Sequence, residues 1–187
     1  MSDLKELSEL AWKGLLDTKF EHHPVHSFYE GSTEIKSNLL AMKGIGGFFA
    51  LDTGDGLVMI DAGSQLDIET GYKEIKKWRP KDLLKAAIFT HHHVDHIFAV
   101  KKFDEECKAN NKPLPTVYSH ELTPNHFDRY KLTNGWNTAI NRRQFAIDVD
   151  NFQWPTEYRY PDKTFKSKTS FKQGKLTFNL YHGRGET

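Results

Sequence analysis

The segment Thr90-His91-His92-His93-Val94-Asp95-His96 packs four imidazoles and a carboxylate into seven residues, directly after the apolar run Ala86 to Phe89. So many metal-type donors restrict the fold, because they converge only where a fixed strand end hands the chain into a turn or helix. Side chains two apart at a strand end point the same way, so His91 and His93 can reach one position. The turn into the following helix lets Asp95 and His96 face a second position nearby. Imidazole nitrogen and carboxylate oxygen suit Zn²⁺, and also Fe or Mn, so the donors alone do not choose the metal. His92, the intervening position, is assigned no ligand role. The bland alternative is a solvated histidine loop, and the strand feeding the cluster argues against it.

The rest of the chain supplies the scaffold that such a loop needs. Leu4, Leu7, Ala11 and Leu15 recur at helical spacing, with Gly14 and Asp17 closing a short amphipathic helix, and Glu21 to Pro24 reads as a linker. Short apolar runs at Leu39 to Met42, Gly47 to Leu51 and Leu57 to Ile60 follow, separated by Gly-rich turns, and the last two are predicted to form a hairpin. Ile68, Tyr72, Ile75 and Trp78 then return to helical spacing, with Pro80 as the stop. Ala86 to Phe89 is a buried strand, Ile97 to Cys107 a helix, and Thr116 to Ser119 a strand. Leu122 to Tyr160 reads as mixed helix and loop, and Leu176, Phe178 and Leu180 alternate as a final strand ending at His182. Alternating strands and helices predict an α/β layered domain. Residues 1–30 are read as an N-terminal helix and linker, and 31–187 as the domain itself.

Composition excludes several classes. With 187 residues, 37% apolar and 27% charged, the chain is predicted to be globular, and it is long enough to bury a core. A net charge of +1 offers no field for nucleic acid or an anionic membrane, and the lysines between Lys163 and Lys175 read as a solvated strand face. The single cysteine, Cys107, excludes an intrachain disulfide framework and reads as structural. The acidic Asp3, Glu6 and Glu9 do not fit a signal peptide, and no apolar run reaches a membrane span. The expectation is a cytoplasmic protein.

The H-x-H-x-D-H of His91 to His96 after a buried strand, preceded by a hairpin ending in Ile60-Asp61-Ala62-Gly63, resembles the metallo-β-lactamase superfamily. A third match, His182-Gly183-Arg184-Gly185-Glu186-Thr187, resembles the strand and loop that carry the family's next ligand. Glu186 stands where most members have His, which is similar to an alkyl- and aryl-sulfatase-like subset. The resemblance spans Ile35 to Thr187 and implies an αβ/βα sandwich present as its first half or a truncated form. It implies His91 and His93 at one metal, Asp95 and His96 at a second, and Glu186 as a further or bridging ligand. Asp61 would orient a metal-binding imidazole, or simply end its strand. His120, His126 and His182 read as structural.

The activity so implied is hydrolysis of an ester-type small molecule by hydroxide on a bound metal, most simply a zinc pair, with Asp95 orienting the hydroxide. The competing expectation is a shortened domain that binds metal or a partner without catalysis. Under either reading, the missing layer would come from a C-terminal half or from a second copy of the chain, since an open sheet edge favours association.

Overall fold

The computed structural model describes residues 4–15, 31–44, 46–144 and 151–185. The predicted linker Glu21 to Pro24, Asp17 and Glu186 lie outside them. An N-terminal helix, α1 (Leu4–Trp12), precedes a meander of four antiparallel strands: β1 (Ser32–Lys36), β2 (Leu39–Met42), β3 (Phe48–Asp52) and β4 (Leu57–Ile60). β3 and β4 are the hairpin that the alternating apolar runs predict, turning through Thr53 to Gly56. From β4 onward the pairing becomes parallel, through β5 (Leu84–Ile88), β6 (Thr116–His120) and β7 (Lys163–Phe165), and the seven strands form one sheet in chain order.

Parallel neighbours need crossovers, and helices supply them. α2 (Ile68–Trp78) joins β4 to β5 and α3 (Val100–Ala109) joins β5 to β6. Two further helices, α4 (Thr123–Leu132) and α5 (Asn134–Gln144), fall in the Leu122 to Tyr160 region read as mixed helix and loop. The helix predicted from Ile97 begins later, at Val100, because Val94–His96 form a single 3-10 turn that carries Asp95 and His96. The basic stretch after Lys163 holds β7 and the first strand of a separate hairpin, β8 (Lys168–Gln173) with β9 (Leu176–Tyr181).

The central strands β4 to β6 are buried on both faces, as parallel strands between covering layers require. On one face Leu57, Met59, Ile75, Phe103, Val117 and Phe127 are all fully buried beneath the helices; full burial of a side chain this size contributes about 1.5–3 kcal/mol. On the other, Val58, Ala86, Ile88 and Tyr118 meet Phe171, Phe178 and Leu180 of the β8–β9 hairpin. Tyr118, Phe171 and Phe178 stack in series, with centroids 4.1 and 4.8 Å apart. Cys107 is completely buried, as a structural residue should be. Among the described residues no helix is long and apolar enough to cross a membrane.

Candidate metal centre

Adjacent parallel strands bring the site together. Ile60 at the end of β4 lies beside Ile88 of β5, so the residues that leave the carboxyl ends of both strands, Asp61 and Thr90, meet where open α/β sheets place their ligands. The Asp61 backbone N–H donates to the Ile88 carbonyl at 2.8 Å, and Asp61 takes a left-handed conformation, φ 58°. Asp tolerates that region better than most residues. It turns the Asp61 carboxylate across to accept from the Thr90 N–H at 2.8 Å, the Thr90 hydroxyl at 2.8 and 3.0 Å, and His96 Nδ1 at 3.1 Å.

These bonds fix the imidazole tautomers. A carboxylate only accepts, so the Thr90 hydroxyl hydrogen is committed to Asp61, and its 2.9 Å bond to His91 runs from Nδ1–H to the Thr90 oxygen. His91 therefore presents Nε2 with a free lone pair. Burial first, then the neighbouring His96 and His93, pull His91 below the ordinary histidine range and keep it neutral at pH 7. His96 is the opposite case. Burial disfavours its charge, but the Asp61 hydrogen bond and the Asp95 and Asp61 charges outweigh it and raise the pKa. Its Nε2 stands 3.4 Å from Asp95 Oδ2.

Asp61, His91 and His96 each offer one donor atom, and the three atoms lie within 4.8 Å of one another. Two imidazoles and a carboxylate at that spacing fit a Zn²⁺, Fe or Mn ion. The tight group draws from both pairs expected from the sequence: the His91 ring centroid is 4.4 Å from His96 and 4.7 Å from His93. His93 and Asp95 stand at its margin. Asp61, expected to orient an imidazole, makes that bond and also belongs to the group itself. His120 and His182, on the other side of the strand ends, stack on each other at 4.1 Å beside a cleft of about 370 Å³ lined by Ile60, Ile88, Phe165, Phe178 and Leu180.

Two contributors were not singled out from the sequence. Thr90 links Asp61 to His91, and its one signal was its position immediately before the cluster. Gly46 lies so close to the donor turn that a Cβ there would sit 1.8 Å from the Asp95 carbonyl oxygen. Gly63, φ 64°, is similarly confined, since a Cβ would come within 2.8 Å of the Phe48 ring.

A parallel-edged sheet with histidine and aspartate donors at the ends of β4 and β5 defines an α/β domain with a candidate metal site. The sequence profile of the metallo-beta-lactamase superfamily matches residues 48–181, and the chain belongs to that superfamily. Among solved structures it is similar to the stereoselective inverting sec-alkylsulfatase Pisa1 from Pseudomonas sp., with TM-score 0.59 and 18% identity over 81% of this chain and 27% of that one. It is also similar to a metallo-beta-lactamase of Cronobacter sakazakii with a HARLDQ motif (TM-score 0.58, 13% identity, 82% of this chain and 53% of that one). A third likeness is to BJP-1, a subclass B3 metallo-beta-lactamase of Bradyrhizobium japonicum (TM-score 0.52, 15% identity, 78% and 49%). At these identities the likeness establishes the fold, and the chain spans about a quarter to a half of the length of these relatives. No curated protein matches the chain.

Proposed function

We propose that this chain is a metal-dependent hydrolase domain acting on an ester-type small molecule, with zinc as its ion, two per site, held by His91, His93, Asp95 and His96. The observation that carries this reading is the convergence of Asp61, His91 and His96 donor atoms within 4.8 Å. A bound divalent cation supplies Lewis acidity and lowers the pKa of a coordinated water to about 7. The residues supply the rest. His91 offers a neutral Nε2 because Thr90 holds its Nδ1–H, and Asp61 holds His96 by Nδ1, leaving Nε2 3.4 Å from Asp95 Oδ2. Asp95, whose side chain is partly exposed, would help hold the second ion and orient the attacking water. Glu186 is a further candidate ligand, on the strength of its sequence position alone.

The test is elemental analysis of metal per chain in the parent and in His91→Ala and Asp95→Ala, followed by hydrolysis screens with sulfate, phosphate and carboxylate esters. About two zinc ions in the parent, lost in both variants, supports the reading; no uptake after reconstitution overturns it. The coverage of only 27% to 53% of the relatives' chains favours one second reading, a domain that binds metal or a partner without turnover. Under it, a further C-terminal half or a second copy of the chain completes the domain. Metal uptake without hydrolysis of any ester, together with dimers in light scattering, would favour that reading. With a net charge of +1, neither nucleic acid nor a membrane surface is proposed as a partner, and a cytoplasmic setting is part of the proposal.

A further inference from the structure

The His91 to His93 stretch is held little by its own backbone. Among the described residues, the backbone N–H groups of His91, His92 and His93 donate to no carbonyl, and the segment's backbone bonds gather at its far end, from the His96 N–H to the His93 carbonyl at 3.1 Å and from the Ala62 N–H to the His96 carbonyl at 2.7 Å. The position of the His91 to His93 stretch must therefore come from side chains. His91 has Thr90. The other anchor is His92, the residue without a ligand role, which is only 4% exposed. Its ring lies flat on His126 of α4, centroids 3.9 Å apart and planes 12° from parallel, with Tyr130 of the same helix at 5.8 Å. On its other side it touches the His93 ring at 5.0 Å.

The helix beneath this stack is rigidly based. The hydroxyls of Thr123, at its start, and Ser119 of β6 share a buried 2.6 Å hydrogen bond. Phe127, next to His126, is fully buried and packs against Phe89, Tyr158 and Tyr160. A side chain mounted on such a helix can fix a neighbouring loop, whereas the loop has no ladder of its own.

We propose that His126, supported by Tyr130, is a positioning residue for the metal centre: acting through the His92 ring, it holds the His91 to His93 segment in place before any cation arrives. The inference rests on the metal-centre reading above, but the ordering of the segment is a property of the metal-free protein. Metal sites depend on such outer contacts to aim their ligands, and losing one commonly costs about tenfold or more in affinity.

The test compares the full-length parent with His126→Ala, His126→Phe and His120→Ala. Hydrogen–deuterium exchange of the metal-free proteins is read at the bonded amides of Thr90 and His96, which flank the stretch, and zinc affinity by competition with a chromophoric chelator. His126→Ala is expected to speed exchange at Thr90 and His96 about tenfold or more, with β4 and β6 unchanged, and to weaken zinc binding about tenfold. His126→Phe, which keeps a flat ring on His92, should restore both to within about twofold of the parent, and His120→Ala should change neither. Parent-like exchange in His126→Ala, or a phenylalanine variant as loose as the alanine one, overturns the proposal. If His126→Ala does not fold, His126→Gln removes the ring face while keeping the reach and carries the same comparison. A parent that takes up no zinc would overturn the hydrolase reading, and the metal-free exchange would still decide this one.

Discussion

Replacing Gly46 by alanine places a methyl group 1.8 Å from the Asp95 carbonyl oxygen, whereas ordinary contact begins near 3.4 Å. The two backbones must part by about 1.5 Å, and neither partner is a flexible side chain that could swing away. Overpacking of this kind costs about 1–3 kcal/mol, which in a domain of this size lowers the melting temperature by roughly 2–4 °C per kcal/mol. The displacement falls on the turn that carries Asp95 and His96, so zinc affinity and turnover should suffer more than stability does; misplacement by about 1 Å can cost about 10²-fold in rate. Gly47→Ala is the control. Its Cβ would meet nothing nearer than the Met42 carbonyl oxygen at 3.6 Å, and neither glycine has positive φ. Calorimetry and chelator competition on both variants are the assays. Equal melting temperatures and equal zinc affinities for the two would refute the argument that close approach of the Gly46 loop sets the donor turn.

Asp61→Asn keeps the size of the side chain but presents an amide where His96 Nδ1 needs an acceptor; zinc affinity should fall about 10–100-fold, checked by the same competition titration. The Arg79 hydrogen bond, with the Gly54 N–H second, holds Asp52 below its ordinary value near 3.8. A depressed carboxylate contributes stability above its unfolded pKa and loses it as pH falls through the folded one. Arg79→Ala should therefore lose stability at pH 7 and show a shallower acid limb below about pH 4, in urea melts at stepped pH. Arg159 binds Asp104 at 2.9 Å and Asp162 at 2.7 Å, tying the chain before β7 to α3. Arg159→Ala leaves Asp104 buried without its cation, for a loss of about 3–5 kcal/mol at pH 7. Burial already raises Asp104, so this loss should shrink as acid protonates it.

The sequence by itself determined the order of elements from β2 to α3, because apolar runs between Gly-rich turns and a return to helical spacing are local signals. It also displayed the candidate donors: His91, His93, Asp95 and His96 fall within six residues, and their strand context is visible in Ala86 to Phe89. It did not determine where α3 begins, since Ile97 fits the helical spacing although the turn at Val94–His96 delays the helix. It left open whether Asp61 ends a strand or orients a histidine, as that depends on a contact with residues 29 and 35 positions away. Only the parallel pairing of β4 with β5 settled that Asp61 bonds both Thr90 and His96. The stack of His92 on His126 and the approach of Gly46 to Asp95 were likewise invisible in the chain, because neither leaves a periodicity. Local patterning is written in neighbouring residues, whereas the aim of a donor atom is set by whichever distant backbone or ring the fold brings against it.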